Sequence, residues 1–184
     1  MPYKKVLVMY LHEGCDFTVF DSLSYNICVQ SSFTKEGNMA LRNKAETLVI
    51  EELTTSGTAV LKSSDFPDQS FHSYAGFQQL LDSNGIDAVL LIDFRDYRHV
   101  AHPILTPASA RSMNTPAFNT PSNAYKKLRA GFDCYLLPSK SIYFPVWYAE
   151  QEVEGRRSAE DNGLKHNMAV NIAQSLKKGG YIAH

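Results

Sequence analysis

Two apolar runs are the strongest signals in the sequence: one is uninterrupted over residues 6–11, and the other, over residues 86–94, contains only Asp87 and Asp93 as polar residues. Each is short, rich in Val, Leu and Ile, and bounded by polar residues, which is typical of a strand buried on both faces of a sheet. The pattern therefore predicts a first strand over 4–11 and a third strand over 86–94. A weaker apolar stretch predicts the second strand over 58–62.

Apolar residues at spacings of three and four predict helices between these strands. The first helix covers about 39–55, and one apolar stripe along it consists of Leu41, Ala45, Leu48, Val49 and Leu53. Arg42 and Glu46 lie one turn apart, so we expect them to pair on the opposite side of this helix. A second helix is predicted over 74–82, where Asn84 and Gly85 end it.

The remaining pattern predicts an antiparallel hairpin over 125–137 and 141–153, followed by a helix that begins near Ser158. The resulting order, β-α-β-α-β-β-β-α, is that of an α/β protein with a mixed sheet. We therefore predict a single domain over 1–184, with the helices packed mainly on one face of the sheet.

Two stretches do not fit this alternation. Residues 12–37 are predicted to be an insertion, in which Phe17, Phe20, Tyr25 and Ile27 suggest two short strands of a hairpin. Residues 101–123 contain four of the eight prolines and one charged side chain apart from His102, and they predict a long Pro-rich loop. Loops of this length in compact domains are functional or mobile.

Composition excludes some classes of protein. The 184 residues carry a formal net charge of -1, whereas nucleic-acid-binding proteins normally show a basic excess. No apolar stretch reaches the roughly 18 residues of a membrane-spanning helix. We predict neither a nucleic-acid partner nor a membrane span.

The three cysteines, Cys15, Cys28 and Cys134, are too few and too widely spaced for a disulfide framework. Cys15 and Cys28 can pair if the segment between them is a hairpin, and such a bond would indicate an oxidising compartment. The alternative is that both are ordinary buried hydrophobic residues.

The N-terminus imitates a lipoprotein signal, with basic residues, an apolar run and then Cys15. The run is shorter than the roughly 7–15 apolar residues of a signal peptide, so we assign it to the first strand. This predicts either a cytoplasmic protein or one whose signal peptide is not present in this chain.

The richest polar cluster follows the third strand and consists of Asp93, Asp96, His99 and His102. Imidazole and carboxylate groups are ligands for zinc and similar ions, so the cluster is a candidate metal site. A spacing of three is awkward on a strand, and the alternative is a charged strand end in solvent. The sequence has no phosphate-binding glycine loop and no nucleophile elbow, and we predict no cofactor and no catalytic residue.

Aromatic residues occupy both faces of the last predicted strand, with Tyr143 and Trp147 on one face and Phe144 and Tyr148 on the other. Aromatic side chains are enriched in interface hot spots, so these four are candidate contact residues. The alternative is that one face packs beneath the helices as part of the core.

Several motifs together resemble a known family. They are Arg42-x-x-x-Glu46-x-Leu48-Val49, then Leu53, Gly57 and Ala59, the strand over 86–90, the pair Val146-Trp147 and the segment from Leu176 to Ile182. In this order they resemble small bacterial cell-envelope lipoproteins with a TolB N-terminal-domain-like fold, related to curli-secretion and penicillin-binding-protein-activator lipoproteins. Residues 12–37 are longer than the corresponding link, and this chain has no lipidation signal.

The resemblance implies a non-catalytic envelope protein, periplasmic or facing the outer membrane, that assembles or regulates envelope machinery through protein partners or a second copy of itself. Contact with the membrane would then be made only through a lipid anchor absent from this chain. A different class stays open: a cytoplasmic or periplasmic protein that binds a small molecule or metal, or is hydrolytic, at the strand ends near His12, Asp93 and His99.

Overall fold

A five-stranded mixed sheet forms the centre of the molecule. The computed structural model describes residues 2–35, 38–54, 57–102, 125–155 and 162–183. The strands are β1 (Lys5–Leu11), β2 (Ala59–Lys62), β3 (Ala88–His102), β4 (Tyr125–Pro138) and β5 (Trp147–Gly155). Within the described ranges their order across the sheet is β2-β1-β3-β4-β5.

Strand directions confirm the predicted α/β class with a mixed sheet. β1 runs parallel to β2 and β3, whereas β4 runs antiparallel to both β3 and β5. The connections that leave β1 and β3 therefore run towards opposite edges of the sheet. This arrangement creates a topological switch point at the carboxyl ends of β1 and β3, which is where open α/β sheets usually bind ligands.

The helices flank the sheet. They are α1 (Ser22–Ser24), α2 (Ser31–Thr34), α3 (Asn38–Thr54), α4 (Tyr74–Ser83) and α5 (Asn162–Lys178), and a π-helix (Tyr25–Gln30) joins α1 to α2. The predicted helices at 39–55 and 74–82 are thus confirmed. Ser158 and the predicted loop residues 103–123 lie outside the described ranges. No helix within those ranges is long and apolar enough to cross a bilayer.

Helices pack on both faces of the sheet, which corrects the expectation that they lie mainly on one. α3 and α5 contact one face, the side of β1 residues Val6 and Val8. The other face, the side of Leu7 and Met9, is covered by α4 and by the segment over 12–34. The physical reason is that β1 and β3 are apolar on both sides, and each side must be shielded from water.

The predicted hairpin within 12–37 is wrong, because the segment is helical from Ser22 to Thr34. Asp21 and Ser24 form a capping box at its first turn. The Asp21 carboxylate accepts a hydrogen bond from the Ser24 N–H, and the Asp21 N–H donates to the Ser24 hydroxyl oxygen. Tyr25, Cys28, Val29 and Phe33 are buried at helical spacing, whereas Ile27, which suggested alternation, is 62% exposed.

β3 is longer than predicted and reaches His102, because its antiparallel ladder with β4 continues beyond the end of β1 to the pair His102–Tyr125. One bulge interrupts the ladder between Phe94 and Asp96. β5 is shorter than predicted and begins at Trp147, since the 3-10 turn Ser139–Ser141 and Pro145 occupy the preceding residues.

Candidate functional site

The switch point between β1 and β3 is occupied by a carboxylate of the chain itself. Asp93 on β3 is 1% exposed and accepts hydrogen bonds from the backbone N–H groups of Glu13 (2.9 Å) and Cys15. Gly14 between them has a φ of 65°, the left-handed conformation that lets consecutive N–H groups converge on an anion. Burial raises the pKa of Asp93, while these backbone hydrogen bonds oppose that rise.

A disulfide between Cys15 and Cys28 closes the same region. It joins the turn after β1 to the π-helix. The hydrogen bonds to Asp93 hold the same turn to β3, so the segment over 12–34 is fixed on the sheet. Phe17 and Phe20 from this segment are fully buried, and the Phe17 ring contacts Tyr135 of β4 at 5.6 Å between centroids. The segment therefore behaves as a packed layer of the core.

His12 lies beside this carboxylate, at the end of β1. Its ring is 4.4 Å from the ring of Phe94. Partial burial lowers the pKa of His12, whereas the negative charges of Asp93 and Glu13 raise it. The charge of the buried Lys165 of α5 also lowers this pKa.

The four predicted metal ligands all lie on β3, but the carboxylates of two of them accept hydrogen bonds from other groups of the protein. The oxygens of Asp93 accept the backbone bonds described above, and Asp96 accepts a 2.7 Å bond from Arg98. His99 and His102 pair in the backbone ladder with Leu128 and Tyr125, and their side chains lie outside the described part of the structure. The part that is described contains no group of three His, Cys, Asp or Glu side chains arranged to hold an ion. The metal site stays a prediction.

The aromatic candidates divide between two environments. Tyr143, Phe144 and Tyr148 are 48%, 58% and 46% exposed, and the neighbouring Val146 is 43% exposed. Trp147 instead packs against the core on the α3 and α5 side. We refer to Tyr143, Phe144, Val146 and Tyr148 as the aromatic patch.

A backbone hydrogen bond fixes the aromatic patch to the segment over 12–34, which we call the helical layer. The Phe20 N–H donates to the Tyr143 carbonyl oxygen at 2.8 Å. The rings of Tyr143 and Phe144 contact each other edge to face, 4.7 Å apart. The patch is thus an ordered surface that leaves large apolar side chains in water.

Sequence reasoning missed the burial of two charged residues of α3, Arg42 and Glu46. Both are buried, so the expectation that they lie on the solvent side of α3 is wrong. Glu46 accepts hydrogen bonds from the Tyr10 backbone N–H (3.1 Å), from the Ser63 hydroxyl, and from both the N–H (3.0 Å) and the hydroxyl (2.8 Å) of Ser64. The signal was present in the spacing, since positions 42, 46, 49 and 53 also share one helix face.

Arg42 completes this cluster by joining α3 to the helical layer. Its guanidinium lies 3.6 Å from the centroid of the Phe33 ring and donates to the Ser32 carbonyl oxygen at 2.9 Å. Asp68 provides a partly exposed counter-charge at 3.7 Å. These contacts hold secondary structure elements together.

A charged ladder crosses the far end of the sheet on the side of the helical layer. Arg95 on β3 contacts Asp133 of β4 at 3.2 Å and Glu150 of β5 at 3.5 Å. Arg129 on β4 contacts Glu152 at 3.4 Å and Glu154 at 2.7 Å, both on β5. Each of these arginines is therefore shared between two carboxylates.

Comparisons with known proteins give structural neighbours only. No family model matches the chain, and no curated protein matches it. Lipoprotein GNA1162 from Neisseria meningitidis is 15% identical with a TM-score of 0.47, and the match covers 95% of this chain and 98% of that one. A PelC dodecamer from Paraburkholderia phytofirmans is 14% identical with a TM-score of 0.48, covering 100% and 90%.

A third neighbour is a minor lipoprotein from Acinetobacter baumannii, 8% identical with a TM-score of 0.37, which covers 98% of this chain and 97% of that one. The structural neighbours thus include bacterial lipoproteins. At these identities and scores they transfer neither a partner nor an activity to this chain.

Proposed function

We propose that the protein is a non-catalytic module of the bacterial cell envelope that acts by docking to other proteins. The observation that carries this proposal is the helical layer over 12–34, fixed by the Cys15–Cys28 disulfide across the ends of β1 and β3. This layer supports two parts of the proposal, the oxidising compartment and the non-catalytic role.

The disulfide supports the location. Disulfides persist in oxidising compartments such as the bacterial periplasm and are rare in the cytosol, where thiols are kept reduced. A bridge that fixes part of the core fits a protein that folds outside the cytoplasm. Attachment to the membrane through a lipid anchor is part of the proposal.

The position of the same layer supports a non-catalytic role. In open α/β sheets the switch point is the usual place for a ligand. Here the anion-binding turn over 13–15 holds the Asp93 carboxylate, so the chain supplies its own occupant. An exogenous anion would have to displace a side chain that is 1% exposed.

The aromatic patch supplies the docking surface. Exposed large apolar side chains that lie together are typical of interaction sites, and Tyr and Phe contribute strongly to such contacts. Phe144 is more than half exposed, although its ring lies on an ordered turn. We propose that a protein partner covers this patch.

Cell fractionation tests the location. The native gene product is separated into cytosolic and envelope fractions, fatty-acid labelling tests for an anchor, and thiol alkylation before and after reduction measures the disulfide. We expect an envelope fraction, with Cys15 and Cys28 protected until reductant is added. A cytosolic protein with both thiols free would refute the proposal.

Cross-linking in cells, followed by affinity capture, tests the surface. We expect Tyr143→Ser combined with Phe144→Ser to lose a partner that the native protein captures. Met39→Ser is the matched control, because Met39 is also 58% exposed but lies on α3. Equal capture by both variants would show that the aromatic patch is not the docking surface.

A further inference from the structure

β5 is a long strand at the margin of the sheet. Within the described ranges it pairs only with β4, over a register that runs from Trp147 to Gly155. The opposite margin, β2, is only four residues long. The free backbone groups of a long edge strand are a template for another strand, unless its side chains prevent pairing.

Carboxylates occupy alternate positions along β5. Glu150, Glu152 and Glu154 oppose Asp133, Gly131 and Arg129 of β4, so all three lie on one face. The Glu150 and Glu152 side chains are 60% and 49% exposed. Because Arg95 and Arg129 are each shared between two carboxylates, carboxylates outnumber cations at the β5 side of the ladder among the side chains that the structure describes.

This charge pattern argues against pairing between two copies of the protein. Antiparallel pairing of two β5 strands about Glu152 would place Glu152 opposite its copy and Glu150 opposite Glu154. Like charges directly opposite each other on neighbouring strands are destabilising. The complementary strand is one with cations at these positions.

The beginning of β5 adds an apolar position to the same face. Tyr148 opposes Tyr135, and their ring centroids are 4.9 Å apart, yet Tyr148 stays 46% exposed. A strand paired with β5 would place one side chain against this ring and its next alternate side chains against the three glutamates.

We propose that β5 binds an extended segment of a partner protein as a sixth strand, and that this segment carries Lys or Arg at alternate positions and one apolar residue opposite Tyr148. Main-chain hydrogen bonds would provide affinity, and the alternating side chains would provide specificity, as in other cases of strand addition. This inference rests on the proposed docking function and names the chemistry of the partner.

Fluorescence anisotropy with the full chain tests it. The probes are two labelled peptides of about nine residues, the length of a typical long strand, with Lys at alternate positions and Tyr at one end or the other. The two orders correspond to parallel and antiparallel addition. We expect one order to bind, and we expect a peptide of the same composition in scrambled order to bind at least about tenfold more weakly.

Backbone chemistry separates strand addition from simple attraction of charges. We expect N-methylation of the alternate amides that face β5 to weaken binding by about tenfold or more, whereas methylation of the other alternate set leaves it unchanged. Equal effects of both sets, or equal binding of the scrambled peptide, would overturn the inference.

Protein variants complete the test. Glu150→Gln combined with Glu152→Gln should weaken peptide binding about tenfold at low salt, whereas Glu51→Gln, an exposed site on α3, should not. Met39→Ser, on α3, should bind the peptide normally. In cells, Tyr143→Ser combined with Phe144→Ser is the double variant that separates the two proposals. If that double variant loses its partner in cells and no peptide binds, only the strand inference fails; if every peptide result holds but the partner is kept, only the aromatic patch fails.

Discussion

The backbone N–H of Cys15 donates a hydrogen bond to the buried Asp93 carboxylate, while the sulfur of the same residue is bonded to Cys28. Cys15 thus joins the end of β1 to β3 through its main chain and to the π-helix through its side chain. The two links hold the turn over 13–15 to two different elements, and each link can be removed separately by substitution.

Replacement of Asp93 by Asn tests the first link. The amide keeps one acceptor oxygen but turns N–H groups towards the N–H donors of the turn, so we expect a loss of about 2 kcal/mol in the free energy of unfolding. Chemical denaturation measures it, and Asp82→Asn at an exposed site on α4 is the control.

The size of that loss should depend on pH. Burial raises the pKa of Asp93 in the folded state, so the folded protein binds more protons than the unfolded one between the ordinary carboxyl pKa and the raised value. Stability of the native protein therefore falls as pH rises through this window, and the deficit of Asp93→Asn should shrink as pH rises above the ordinary carboxyl pKa. A deficit that grows with pH would show that the backbone hydrogen bonds outweigh burial.

Removal of the disulfide tests the second link. The bridge spans a sequence separation of 13 residues, and loops of about this length contribute about 3 kcal/mol by restricting the unfolded chain. We expect Cys15→Ser combined with Cys28→Ser to lower the free energy of unfolding by that amount. Reductant should destabilise the native protein equally and leave the double variant unaffected, since Cys134 is buried as a free thiol.

Glu46 should be among the most sensitive charged positions. Glu46→Ala would leave the Tyr10 N–H and the Ser63 and Ser64 groups without their shared acceptor inside the protein. We expect a loss of about 3 kcal/mol, because more than one buried neutral donor is left unsatisfied and each such group costs about 1–3 kcal/mol. Glu51→Ala, on the exposed side of the same helix, should change stability by less than about 0.5 kcal/mol in the same denaturation experiment.

A substitution at Gly131 should change the charged ladder and leave the core packing intact. A Cβ at this position would lie 2.8 Å from the Asp96 Oδ1 atom and 3.1 Å from the Arg95 Nη2 atom, both at the ends of side chains. These ends can move, so Gly131→Ala should cost little stability, about 1 kcal/mol or less. It should displace Arg95 from Asp133, whose pKa this cation lowers, so NMR titration of the Asp133 carboxyl should show a further rise in pKa.

The strands and long helices were predictable because their apolar residues repeat at clear periods. The segment over 12–34 was not, because Tyr25, Ile27 and Val29 alternate as in a strand while the buried set follows Tyr25, Cys28 and Val29. The capping box at Asp21 was the local signal that favoured a helix.

The buried carboxylates were harder to predict. Asp93 and Glu46 accept hydrogen bonds mostly from backbone N–H groups and serines far away in sequence, and a single sequence does not show which donors will converge. Exposure of Phe144 and partial burial of Trp147 likewise depend on where β5 begins. Residue type alone made them equal candidates.

The strand order has a consequence for synthesis of the chain. β1 is made first, yet its central neighbour β3 begins at Ala88, after both α3 and β2. At about 5–20 residues per second, ribosomes need several seconds to make the residues between β1 and β3, and during this time the edge of β1 that later pairs with β3 has no partner strand. The nascent chain therefore passes through a period in which capture by a holding chaperone competes with aggregation.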